Sequence, residues 1–501
     1  MNDLKKQKAA RWLVIAIAAL IVFGQSVTDD NGGITPDGAR YLGVAEYLLD
    51  GKTMWVPNDG RAPAGHEFFS TWPVGYPLLI ACLAFVAPIG TFWAAKLVNV
   101  LFLALVITAS HRRYGNNGLL ASLILTCANM LALTSLALSD SLFVCLLILL
   151  TLAISTALEP KNGVQTRTLI QLLLLLIGTM FTRYIGVVVM PAMALIGALL
   201  YSRGRRADAV KILSVSAVAG LFFVAYMWMN IATTGYPTGI PRHAPVDSCS
   251  EIFSAFFVSL AGGLALPLAS WNTTSLIDNV VWIVCALAVV FVGWRVVKGH
   301  SRAVERRYSD TLLVLATLSG TYLMAILALR HVTHFDSIDY RLIAPGILPL
   351  MFGAVLYGLE RFPLARISIM AFVITAYCLS VVSRAWSAVQ HNAGRSYYEA
   401  TTSRRSYYAN VPDSSIIIQP SYHVHYLRPS VHVVFPRRQP YDIESETIAS
   451  FLGSLDWRRR IFLDTRHINA SSAGYHESVV RWIHTFPSDT LIEVSRSDIE
   501  R

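Results

Sequence analysis

Residues 11 to 27, 91 to 110 and 212 to 231 form almost unbroken apolar runs. Each is close to the roughly 20 residues that carry an α-helix across a hydrocarbon core about 30 Å thick. Lipid offers backbone N–H and C=O groups no partner, so such runs can cross only as helices. Composition agrees, because 54% of the 501 residues are hydrophobic and 14% charged, more apolar surface than a soluble core can bury. A formal net charge of +10 would suggest nucleic acid in a soluble protein. Here the basic residues sit in short loops between apolar runs: Lys5, Lys6, Lys8 and Arg11, then Arg112 and Arg113, Lys161 and Arg167, Arg203 with Arg205 and Arg206, and Arg302, Arg306 and Arg307. These are topology signals for cytoplasmic loops. They imply membrane lipid as the partner and no nucleic acid.

With the basic clusters inside, the chain starts in the cytoplasm, crosses at 12 to 27 and places a long polar loop, 28 to 72, outside. The first run lacks a small-x-small cleavage site near Gly24 to Thr28 and reads as a retained anchor. The piece 74 to 89 opens with Pro73, Gly75 and Pro77 and is expected to lie at the interface rather than cross. Crossings follow at 91 to 110, 118 to 136, 141 to 158, 168 to 182, 184 to 201, 212 to 231, 276 to 294, 311 to 329, 342 to 359 and 367 to 383. The expected fold is mainly α, a polytopic helical bundle of about eleven spans with juxtamembrane helices. An odd count leaves 384 to 501 outside. This charged tail has alternating stretches at Ser415 to Ile418 and His423 to Val434 and a helical pattern from His476 to Thr485, and reads as a small extracytoplasmic α/β domain beside a membrane domain of residues 1 to 383.

No cysteine has ligand-like spacing, so neither a disulfide framework nor a zinc site is expected. His423 and His425 would share one strand face near His432, without a carboxylate or cysteine at ligand spacing. Asn272-Thr273-Thr274 and Asn469-Ala470-Ser471 match the glycosylation pattern, which recurs by chance in long chains.

In the first loop, Asp37 opens a helical pattern with Tyr41, Val44, Ala45, Leu48 and Leu49 on one face and Gly51 as a stop. Spacing leaves two readings of Asp37 open. It is an N-cap accepting from free helix amides, or it is a general base or a ligand of a divalent ion such as magnesium or manganese. Asp140, at another helix start, is a cap, a second carboxylate beside the site, or a ligand of the same ion. No cofactor beyond that cation is implied. Arg183, Arg242, Arg341 and Lys96 all fall on the outer side, against the positive-inside bias. They snorkel, pair with Asp140, Asp336 or Asp339, or hold an anionic phosphate.

The stretch Pro36-Asp37-Gly38-Ala39-Arg40-Tyr41, with Ala45, Leu48, Gly51 and Trp55-Val56-Pro57, resembles the first-loop signature of GT-C superfamily glycosyltransferases. The likeness is to the branch containing lipid A aminoarabinose transferase and the protein O-mannosyltransferases. In that branch an Asp opening a juxtamembrane helix, often followed by Arg-Tyr, is the catalytic carboxylate, and Asp37 matches it. Glu67-Phe68-Phe69-Ser70-Thr71-Trp72-Pro73-Val74-Gly75-Tyr76-Pro77 resembles the family's acidic residue and the proline-tyrosine start of the next apolar piece. Where the aminoarabinose transferases carry Glu-Lys-Pro-Pro, this chain has Thr71-Trp72 and no lysine. Leu138-Ser139-Asp140-Ser141 resembles the second acidic turn and Phe181-Thr182-Arg183-Tyr184 the basic turn after it, while Gly239-Ile240-Pro241-Arg242 and Asp339-Tyr340-Arg341-Leu342 recur in bacterial members.

The resemblance implies an inverting transferase that moves a sugar from a polyprenyl-phosphate donor to an outer glycan, lipid or protein acceptor, in a bacterial inner membrane. Asp37 would be the catalytic base, with Arg40, Tyr41, Glu67, Lys96, Asp140, Arg183, Arg242 and Arg341 binding substrates. The rival class is a transporter or flippase for a lipid-linked or amphiphilic solute, which would place its charges near mid-bilayer in inverted repeats.

Overall fold

The computed structural model describes residues 2–58, 65–159, 163–242, 245, 247–264, 303–333, 335, 338–391, 396–418, 423–434, 447–465, 477–483, 485–487 and 490–495. The expected span at 276 to 294, Cys285, Asp336 and both glycosylation-type triplets lie outside the described residues. The chain divides into two compact units, each described by itself: Met1–Thr28, Lys96–Met229 and Arg242–Ala393 form the first, and Asp29–Ala95, Asn230–Pro241 and Gly394–Arg501 the second.

The first unit is helical. Among the described residues, eight helices are long and apolar enough to cross a membrane: Lys5–Thr28, Thr91–Thr126, Ser139–Leu158, Tyr184–Ser202, Arg206–Thr234, Tyr308–Val332, Tyr340–Arg361 and Arg366–Val389. Their burial differs with position. Ser139–Leu158 and Tyr340–Arg361 are 89% and 78% buried, whereas Arg366–Val389 is 17% buried and turns Ile367, Phe372 and Val382 outward. A helix apolar all round sits at the centre, and one with an apolar outer face meets lipid. Thr166–Thr182 is a shorter apolar helix where 168 to 182 was expected to cross.

Residues 118 to 136, expected as one span, come in pieces. Helix α4 (Thr91–Ser122) is interrupted at Gly115, whose φ of 60° and ψ of −139° are not helical. A 3-10 turn, Leu123–Thr126, follows, and then a short helix α5, Ala128–Ser135, flanked by extended Cys127 and Leu136. One helix was not anticipated, Cys249–Leu264.

The second unit combines short helices with two sheets. With the N-terminal helix Asn2–Thr28 as α1, helix α2 is Pro36–Leu49, and the hairpin β1 (Trp55–Pro57) and β2 (His66–Phe68) follows it. The apolar piece after Pro73 folds as a 12-residue helix α3, Gly75–Val86, about 18 Å long and too short to cross. In the tail, strands β3 (Ile416–Ile418), β4 (His432–Val434), β5 (Ile461–Asp464) and β6 (Leu491–Val494) form a sheet of order β4-β3-β5-β6, parallel except for β6. Central β3 is buried on both faces, which its unbroken Ile-Ile-Ile run permits. Glu477–Ile483 is helical, as its pattern suggested. The strand expected across His423 to Val434 is corrected. Val424–Leu427 is a helical turn and only His432–Val434 is extended, so His423 and His425 do not share a strand face.

Candidate functional site

In the second unit the start of α2 is fixed by Thr35. Its Oγ1 accepts from Gly38 N at 3.1 Å, and its carbonyl accepts from Ala39 N at 2.8 Å. Pro36 takes the first helical position, where a missing N–H costs nothing. Asp37 is therefore not the cap, which corrects that reading. It is the second residue of the helix, in the first turn, where a negative side chain complements the helix dipole.

Tyr41, one turn on, is buried in a ring nest with its centroid 5.3 Å from Tyr76, 5.9 Å from Trp72 and 6.4 Å from Phe69. The nest ties α2 to the stretch entering α3. Arg40 and Glu67 meet across 3.3 Å with both side chains partly exposed. Gly239, in the loop that the sequence singled out, lies against Ser70 of the same stretch. The other face of α2, through Arg40, Val44 and Tyr47, lines a shallow cleft with Val56, Pro57 and Pro429.

In the first unit one of the expected cations, Lys96, lies at a break between helices. Leu136 and Leu138 are extended, so the carbonyls between α5 and α6 (Ser139–Leu158) lack helical partners. Side chains of α4 supply them. Buried Lys96 Nζ donates to Ser135 O at 2.5 Å, and Asn99 Nδ2 donates to Leu136 O at 3.1 Å and to Thr134 O and Leu138 O at 3.4 Å. Two residues later, buried Asp140 accepts from Arg183 Nη1 in an ion pair. Asp140 thus serves a guanidinium, and Leu138 is the residue at the cap position.

The hydroxyl of buried Tyr322 donates to Leu342 O at 2.9 Å and lies within electrostatic reach of Arg183, Asp140 and Asp339. Asp339 caps the helix Tyr340–Arg361 by accepting from Leu342 N at 3.1 Å, and Arg341 stands 3.9 Å from its carboxylate. Arg242 is exposed, with Tyr184, the residue after Arg183, as a neighbour in its electrostatic field. Lys96, Asp140, Arg183 and Arg341 are accordingly each held by a partner of their own, and Arg242 is exposed.

Sequence reasoning missed Asn99 and Tyr322. The first carried a signal, since it follows Lys96 by three residues and shares its helix face. Tyr322, inside an apolar run, carried none. Asp140 is engaged by a guanidinium, and no group of three His, Cys, Asp or Glu side chains is placed to hold an ion among the described residues.

No protein-family model and no curated protein matches the sequence. The fold does match solved structures. ArnT from Cupriavidus metallidurans bound to undecaprenyl phosphate superposes with a TM-score of 0.59 at 13% identity, over 92% of this chain and 94% of that one. The Archaeoglobus fulgidus oligosaccharyltransferase AglB, in complex with an inhibitory peptide and a dolichol-phosphate, gives 0.52 at 11% identity, over 97% of this chain and 74% of that one. The arabinofuranosyltransferase AftD from Mycobacteria gives 0.50 at 12%, over 91% of this chain and 35% of that one. With its apolar helices, this likeness makes the chain an integral, multi-pass membrane protein.

Proposed function

We propose that this chain, whose fold is that of the GT-C glycosyltransferases, is an inverting glycosyltransferase. It takes a sugar from a polyprenyl-phosphate donor and delivers it to an extracytoplasmic glycan, lipid or protein. The reading places the N-terminus in the cytoplasm of a bacterial inner membrane, with residues 28 to 72 and the tail on the outer side.

The observation that carries the reading is the placement of Asp37. Thr35 caps α2, so the carboxylate in its first turn is not spent on capping. In the proposed reaction Asp37 takes the proton of an acceptor hydroxyl while the oxygen attacks the anomeric carbon from the face opposite the phosphate. The bond from that carbon to the phosphate oxygen breaks, and the lipid phosphate leaves with the electron pair. The negative charge that develops is met by Arg183, Arg341, Lys96 and Arg242. Cations already fixed by Asp140, Asp339 and backbone carbonyls need no reorganisation as that charge appears. Arg40, Tyr41 and Glu67 frame the acceptor side. The neighbours with undecaprenyl phosphate and dolichol-phosphate support a donor of this class.

Purified protein in nanodiscs, given radiolabelled polyprenyl-phosphate sugars and membrane-glycan acceptors, tests the proposal. Transfer by the wild type that disappears in folded Asp37→Asn is the expected result. Undiminished transfer by Asp37→Asn overturns the base assignment. Translocation of a lipid-linked solute without any transfer overturns the enzyme reading.

A further inference from the structure

We propose that the C-terminal segment is a brace that sets the position of helix α2, and that Gly43 and Arg404 are positioning residues for Asp37. The proposal rests on the reading of Asp37 as the catalytic base. A lone helix of 14 residues is marginal in water, so its place comes from what packs on it. The tail grips the chain before, within and after α2.

Before it, helix Tyr397–Tyr407 begins at a reciprocal cap between Ser396 and Glu399, which fixes its first turn. Near its end Arg404 donates to Asp30 O and to Asn31 Oδ1, both at 3.0 Å. At its start, the Tyr397 ring stacks on Phe92 with centroids 3.9 Å apart.

Within α2, the turn Val424–Leu427 crosses at Gly43. A Cβ added there would stand 2.3 Å from His425 O and 3.1 Å from the same carbonyl carbon. Those are backbone atoms and cannot rotate away, so any side chain at 43 must push the helix and the tail apart. The crossing also lies beside Arg40, and the His425 ring is held neutral by burial and by that guanidinium, so no second charge opposes the approach. After α2, His432 Nδ1 meets Asn58 O at 3.0 Å.

Asp37 lies midway between the grips at Asn31 and Gly43. Loosening either one lets the first turn of α2 shift, and displacement of a catalytic group by about 1 Å costs on the order of 100-fold in rate. The cations of the first unit are held by contacts that involve neither Gly43 nor Arg404. Loss of the brace therefore acts on turnover rather than on donor binding.

The test uses the full chain in nanodiscs with Gly43→Ala, Arg404→Gln and Arg404→Lys. The expected result for Gly43→Ala and Arg404→Gln is a kcat lowered about 10- to 100-fold, with KM for the lipid donor little changed. Amides of α2 should lose hydrogen-exchange protection while those of Ser139–Leu158 keep theirs, and Arg404→Lys should recover part of both. Arg404→Gln stands alone if Gly43→Ala does not fold. Wild-type kcat together with wild-type protection of α2 in either variant overturns the brace. Activity retained in Asp37→Asn overturns the base instead, and the exchange measurement then still decides whether the tail holds α2.

Discussion

The two units treat charge differently. In the membrane unit the candidate groups are buried and paired: Lys96 on a carbonyl, Asn99 on three, Asp140 on Arg183. In the polar unit they stand half in water, with Asp37 in a first turn capped by another residue and Arg40 facing Glu67 with both side chains partly exposed. The difference follows from solvent. A charge away from water is tolerated only where a partner meets it, whereas one near water is also met by solvent. The membrane unit thus holds its cations by structure, and the polar unit holds its carboxylate by placement.

Removing one partner of the Asp140–Arg183 pair is the strongest way to break that comparison. Arg183→Ala leaves a nearly inaccessible carboxylate without its guanidinium, and loss of one member of a buried pair costs about 3–5 kcal/mol. The expected outcome is a marked fall in melting temperature of the purified protein. The double variant Asp140→Asn with Arg183→Gln should recover a large part, since no buried charge then stands alone. A single Arg183→Ala variant that melts like wild type would mean the pair is hydrated and the two units do not differ in this respect.

What the sequence made legible follows the same division. Apolar length found the long helices, because the spanning requirement is written in consecutive residues. It missed Cys249–Leu264, and it joined the pieces between Gly115 and Leu136, because residues of ordinary hydropathy adopt non-helical angles there. Asp37 was legible as a helix start. That Thr35 rather than Asp37 caps it was not, since both residue types cap well and stand two apart. Arg183 with Asp140 was one of several pairings open from spacing, and the separation of 43 residues hid which one forms. His423 to Val434 was misread because alternation over a few residues fits a helical turn joined to a strand as well as one long strand.

An intermediate effect is expected from pH and should appear in the polar unit. His425, beside Arg40, and His432, whose charged neighbours are Arg459, His66 and Asp456, are both shifted downward, first by burial. Above about pH 6.5 each ring is neutral folded or unfolded, and nothing is lost. Below that value the unfolded chain takes up protons that the folded rings refuse, so stability falls by up to about 1.4 kcal/mol per pH unit for each ring. Hydrogen-exchange protection of α2 and of β4 should decline between about pH 6.5 and 5, above the ordinary carboxylate range. Protection that stays constant across that window would show the rings to be accessible and sharpen the contrast in the other direction.

The smallest effect belongs to Arg40 and Glu67. Their charges are 3.3 Å apart with 27% and 47% of the side chains exposed, so solvent and salt screen the pair. Arg40→Gln should change stability by less than about 1 kcal/mol, and the difference from wild type should shrink further as salt is raised. The pair is then cheap to separate, as the substrate-binding role proposed for Arg40 requires. A destabilisation as large as that of Arg183→Ala would place Arg40 among the structural charges, and the polar unit would follow the rule of the membrane unit.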